Sequence, residues 1–272
     1  MTGSTSGIGR ALAETLAVSG ATVGIVARDV GRGEAVRAEI AAATGSSAVR
    51  VFVADLSSQA EIHRLAADVT AEFQQLDMLI HCAAVFTPRR TETVDGLETM
   101  FATNTLAPFL LTNLLQDPLT AGAPGRVLVL TAPSTVRLDF DDLQALRRFG
   151  ALNAFGASKA GDLLFTFELA RRWEGSGVTA NAVHPGLVRT SLMRGAPAPL
   201  RWATWLVSAP PAKAAAAIAP LALAPEYARQ TGRFYKAGRV IEAPPYSRDP
   251  DIARRLWDVS AVLTKLTEGV RK

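Results

Sequence analysis

Short runs of apolar, β-branched residues alternate with segments whose apolar positions recur every three or four residues, and the alternation starts almost at once. Ala21 to Ala27 predicts a strand, Gly31 to Thr44 a helix, Ala48 to Val53 a strand and Gln59 to Phe73 a helix. Ser58 followed by Glu61 has the pattern of a capping box at the second of these helices. Met78 to Cys82, Arg126 to Leu130 and Thr179 to Val183 are further short buried strands, separated by long helices near Leu97 to Leu115 and Phe155 to Trp173. Pro211 and Pro250 stand where a first-turn proline opens a helix. Strands that alternate with helices in this way predict one α/β domain spanning residues 1–272, a parallel sheet doubly wound by helices on both faces.

Composition sharpens this picture by exclusion. With 272 residues, 49% of them hydrophobic, the chain is large enough for one substantial core. The formal charge of +4 is dispersed over pairs such as Arg147-Arg148 and Arg254-Arg255, which read as solvated helix surface and give no nucleic-acid footprint. One cysteine, Cys82, rules out a disulfide within the chain, and no ligand spacing suggests a metal. No apolar run has the eighteen or so residues of a membrane span, and no export signal opens the chain, so the expected location is the cytoplasm.

The chemistry begins with Thr2-Gly3-Ser4-Thr5-Ser6-Gly7-Ile8-Gly9. Glycines at 3, 7 and 9 let the backbone turn tightly and approach a pyrophosphate, which the positive end of a helix starting near Ile8 would favour. Such a loop normally follows a buried central strand, giving a Rossmann-type βαβ unit, yet this one starts one residue after Met1. The expectation is a truncated first strand and a natural start upstream of this Met1. Arg28, just past the second strand, suits the 2′-phosphate of NADP(H), with Arg10 as a second cation, although the adjacent Asp29 would suit the ribose of NAD(H). NADP(H) is favoured. Asp55-Leu56, after the third strand, resembles the aspartate with which a family of dinucleotide-binding proteins contacts the adenine ring, and also reads as a simple turn carboxylate.

Asn153-Ala154-Phe155-Gly156-Ala157-Ser158-Lys159 resembles the active-site helix of the short-chain dehydrogenase/reductase family, in which a tyrosine precedes the lysine by four residues. The resemblance covers nearly the whole chain. Phe101-Ala102-Thr103-Asn104 looks like the segment with the family's structural and proton-relay asparagine, and Gly125 to Leu130 like the strand before its catalytic serine. Asn181 to Thr190 is similar to the Pro-Gly segment that cradles the nicotinamide, which implies cofactor contacts at Pro185, Gly186, Val188 and Thr190. Gly232-Arg233-Phe234-Tyr235 points to the retinol-dehydrogenase-like branch. By the same resemblance Gly3, Ser4, Ser6, Gly7, Ile8, Gly9, Arg28, Asp55, Leu56, Ala83 and Lys159 hold the cofactor. Residues 191–209 form a substrate lid, residues 249–266 a helical tail, and the two long helices the surface of a homodimer or homotetramer.

The departures fall where the chemistry belongs. Phe155 stands in the tyrosine position and Ala132 in the serine position, so both hydroxyls are absent while Asn104 and Lys159 remain. Asn-Asn-Ala-Gly of the family becomes His81-Cys82-Ala83-Ala84. Lys159 keeps only a ribose-binding role once the phenol is gone. Thr131, Ser134 and His184 are the available substitutes for a proton or hydrogen bond, each also readable as an ordinary structural group. Three functions remain open: an NADP(H)-dependent oxidoreductase with a non-standard site for a small apolar substrate, a non-redox enzyme catalysing elimination, cyclisation or isomerisation on this scaffold, or an inactive dinucleotide-binding protein.

Overall fold

The computed structural model describes residues 1–189 and 208–266. Its elements run α1 (Gly7–Val18), β1 (Val23–Ala27), α2 (Val30–Thr44), β2 (Val49–Val53), α3 (Gln59–Glu72), β3 (Met78–His81), α4 (Ala107–Leu114), α5 (Gln116–Ala121), β4 (Gly125–Leu130), α6 (Ala151–Arg172), β5 (Val178–His184), α7 (Pro211–Leu223), β6 (Phe234–Lys236), β7 (Arg239–Val240) and α8 (Pro250–Leu263). β1 pairs in parallel with β2, and β3, β4, β5 and β6 pair in parallel in that order, with β7 antiparallel at the edge. This is the doubly wound α/β architecture that the alternation predicts.

The expected first strand is represented by two residues. Val26 N–H donates to the Met1 carbonyl at 3.1 Å, Thr2 N–H donates to the Ile80 carbonyl at 2.9 Å, and the Met1 ammonium reaches the Gly24 carbonyl at 2.6 Å. Met1 and Thr2 thus stitch β1 to β3 in the place where a central strand would run. The Met1 ammonium is buried there, and desolvation lowers its pKa to about 6.

Two large clusters form the core, one on each face of the sheet. Leu110, Leu115, Leu119, Val127, Phe109, Phe165 and Trp257 fill one, and Leu12, Ile25, Ile40, Ile80, Leu128, Val183 and Ile218 fill the other. Trp257 of α8 sets its ring edge-on against Phe109 at 4.9 Å and stacks on Phe165 at 6.1 Å. The helical tail therefore covers α4 and α6, and α6 is buried without interruption from Ser158 to Ala170.

Three local expectations are corrected. The long helix over Leu97 to Leu115 is interrupted by a π-turn at Phe101–Leu106, where Ala107 N–H bonds the Ala102 carbonyl. Its cause lies nearby, since Pro108 has no N–H to give the Asn104 carbonyl four residues back. The capping box is only half formed: Ser58 Oγ accepts from Glu61 N–H at 3.4 Å, but the Glu61 carboxylate accepts from Asp55 N–H at 2.8 Å instead of closing on Ser58. Arg10 is no free second cation, because it pairs with Glu39 at 2.9 Å.

Candidate functional site

The carboxyl ends of β1 to β5 deliver their following loops to one edge of the sheet, the edge where open α/β sheets bind ligands. The glycine loop fits tightly there. A Cβ on Gly3 (φ +66°) would lie 2.6 Å from Ala83 N, and one on Gly9 would fall on the Gly3 carbonyl, so side chains at either position would push the loop out of shape. Thr2 Oγ1 accepts from Cys82 and Ala83 N–H at 3.2 Å each, locking the loop to the end of β3. α1 then opens at Gly7, with Ile8 and Gly9 in its first turn and Ser6 as an N-cap whose side chain makes no capping bond. Its first N–H groups are left for an anion, and the glycine cradle and bare helix start fit a pyrophosphate. Ser4 is fully buried, its hydroxyl donating to the Met1 carbonyl at 2.8 Å.

Just past β1 Arg28 is exposed, whereas Asp29 serves as the N-cap of α2, its Oδ1 accepting from Arg32 N–H at 2.8 Å. The Arg32 guanidinium reaches back to the Thr5 carbonyl at 3.5 Å, so a second cation borders the glycine loop. Arg32 is not among the residues that the sequence reading singles out. Asp55 Oδ1 accepts from Ser57 N–H at 2.9 Å in a turn, and Leu56 is buried beside it.

Asn104, in the π-turn, clasps three elements. Its Oδ1 accepts from Val85 N–H at 2.8 Å, and its Nδ2 donates to the Val85 carbonyl and to Ser158 Oγ at 3.0 Å each. Phe155, on the second turn of α6, packs edge-on against Phe86 with 5.7 Å between ring centres. Lys159 Nζ lies 5.7 Å from the same Phe155 ring and 2.8 Å from Asp162 Oδ2. Both partners of this ion pair are buried, and neither Phe86 nor Asp162 was singled out from the sequence. Asp162 had a readable signal, for positions 155, 159 and 162 share one helical face. Phe86 had none, since its approach depends on how the loop after β3 folds back.

The hydroxyl and imidazole candidates differ in what they have left to give. Thr131 Oγ1 donates its one hydrogen to the Lys159 carbonyl at 3.0 Å. Ser134 Oγ accepts from Val136 N–H at 3.2 Å and keeps its own hydrogen, and it borders Gly156, next to Phe155. Ala132 lies between them, half-buried. His184 ends β5; burial depresses its pKa, opposed by a hydrogen bond with the Thr131 backbone, and its Nδ1 is buried without a partner among the described residues. Pro185 and Gly186 follow, Gly186 at φ +81° with open space on its Cβ side, and Val188 bridges in parallel to Ala209. Thr190 and positions 191–207 of the expected lid lie outside the described residues.

A family model described as short chain dehydrogenase matches residues 1–199. Human retinol dehydrogenase 13 is 37% identical over 277 residues, covering 98% of this chain and 84% of its own length. Mouse retinol dehydrogenase 12 is 38% identical over 269 residues, covering 97% and 84%. Among solved structures, a short chain dehydrogenase from Burkholderia cenocepacia in complex with NADP superimposes with a TM-score of 0.69 at 26% identity, over 88% of this chain and 96% of that one. The architecture and these matches agree with the glycine loop and the active-site helix, and the chain belongs to the short-chain dehydrogenase/reductase family, in its retinol-dehydrogenase-like branch.

Proposed function

We propose that this chain is an NADP(H)-dependent oxidoreductase with a non-standard active site, acting on a small apolar substrate. One observation carries the reading: the glycine cradle and uncapped start of α1 lie at the same sheet edge as Arg28 and Arg32, with the Asp29 carboxylate engaged in capping α2. When bound, the nicotinamide supplies the hydride; the protein has to position the substrate, exclude water and manage one proton. Phe155 and Phe86 provide an apolar wall, in keeping with relatives named for retinol. In the family's tyrosine position Phe155 holds no transferable proton, and Ala132 offers no hydrogen bond in place of the serine. Asn104 has its amide fully engaged, and Thr131 has its hydrogen committed. Ser134 is therefore the hydroxyl best placed to donate to a substrate oxygen. Absence of a matched acid removes about 10²–10⁴-fold in rate, so the favoured substrate is one that needs little protonation, such as an activated alkene or an iminium.

By resemblance to the family, a homodimer or homotetramer would form through the two long helices, near which Trp257 of α8 packs on Phe109 and Phe165. Fluorescence titration with NADPH and NADH tests the cofactor assignment. NADPH should bind more tightly, and Arg28→Ala should weaken NADPH by about 10–100-fold, the usual effect of losing a charged hydrogen bond, with NADH little changed. Equal loss for both cofactors, or no binding of either, would overturn it.

A further inference from the structure

Asp162 takes no part in the cradle just described, yet it pairs with Lys159, the lysine to which the family resemblance assigns the cofactor's ribose. Its Oδ2 lies 2.8 Å from Lys159 Nζ, with the side chains 2% and 7% exposed. A buried ion pair contributes little net stability, because desolvation of two charges offsets their attraction. Its Oδ1 is buried with no hydrogen-bond partner among the described residues. Thr131, whose hydroxyl donates to the Lys159 carbonyl at 3.0 Å, lies beside this carboxyl and, with the Lys159 ammonium, favours its ionised form against the desolvation of burial.

We propose that Asp162 is a positioning residue that, as a carboxylate, holds the Lys159 ammonium back from the cofactor ribose and, once protonated, releases it, so that dinucleotide binding takes up one proton. The balance is simple: the ion pair, the dinucleotide and a proton from solvent become a lysine-bound dinucleotide and a neutral Asp162. No bond to carbon changes. The inference rests on the cofactor reading above. Burial raises Asp162 to about 6 against the pull of the Lys159 ammonium, so the free protein holds a carboxylate at neutral pH, and turning Lys159 away removes the charge that keeps it ionised.

The neighbouring groups narrow the source of any pH effect. Cys82, at the end of β3, is held neutral with its pKa pushed to about 12, and His81 is held neutral with its pKa lowered to about 3. His184, across Thr131 on β5, is also shifted down by burial. The Met1 ammonium, at about 6, acts on His81 and Cys82, whereas Asp162 faces Lys159 and Thr131.

Calorimetric titration with NADP⁺ at mildly alkaline pH, in buffers of different ionisation heat, counts the protons directly. The full-length protein should take up about one proton per dinucleotide, with affinity falling about tenfold per pH unit above the free-state pKa, and Asp162→Asn should take up almost none and bind with little pH dependence. Equal uptake by both proteins would overturn this inference and leave the cofactor reading standing; no binding by either would overturn both. If Asp162→Asn does not fold, the unmodified protein decides alone, since binding without proton uptake contradicts the proposal.

Discussion

At the scale of single residues, the site is defined by what each polar atom has already been given to do. Asn104, Thr131 and Lys159 all have partners within the protein, so the polar groups that survive in the sequence are fewer in practice than on paper. His81 shows the same logic applied to stability. Its Nε2 lies 2.8 Å from Thr112 Oγ1 in the core, and burial lowers its pKa to about 3. The unfolded imidazole takes up a proton as pH falls below its ordinary value near 6.5, whereas the folded one does not until about 3, so folding stability declines across that window. Near pH 4.5 the deficit from this one group is about 2–3 kcal/mol. His81→Asn should therefore lose less stability than the parent between neutral pH and about 4.5 in urea unfolding. Identical declines in the two proteins would show that the ring is solvated or protonated in the fold.

At the scale of elements, the apolar alternation located β1 to β5 to within two residues, because strands such as β1 and β4, buried on both faces, leave short apolar runs rich in valine and leucine. The interruption at Phe101–Leu106 was not legible: it depends on a proline's missing donor and on Glu98, whose carboxylate caps Met100 and Phe101 N–H at 3.0 and 2.7 Å. β6 and β7 escaped because strands of three and two residues are too short to show a period. The tail helix was legible from Pro250, but its role was not, since only the fold brings Trp257 to Phe109 and Phe165. Arg172 adds its guanidinium over the Trp257 ring at 4.5 Å. Trp257→Ala should cost about 3–5 kcal/mol, the usual penalty for emptying a large aromatic site, measured as a lower denaturant midpoint. A loss under about 1 kcal/mol would mean that α8 is not part of the cooperative core.

At the scale of the whole molecule, the sheet brings the glycine loop and α6 to one edge, and the function proposed above reads them as a dinucleotide cradle beside a site where Phe155 and Ala132 stand in the family's tyrosine and serine positions. The glycine loop was readable because its glycines are close in sequence; the position of Arg32 beside it, the ion pair at Lys159 and the second aromatic ring at Phe86 required the packed structure. No described helix is long and apolar enough to cross a membrane. The account stands on the claim that this scaffold binds its cofactor but lacks the acid for ordinary carbonyl reduction. The direct test is the rate of NADPH oxidation with a panel of simple ketones, comparing the parent with Phe155→Tyr/Ala132→Ser. The parent should be near background and the double variant faster by about 10²-fold or more, the contribution of a positioned acid. Rapid turnover by the parent, or no gain in a folded double variant that binds NADPH, would contradict the account.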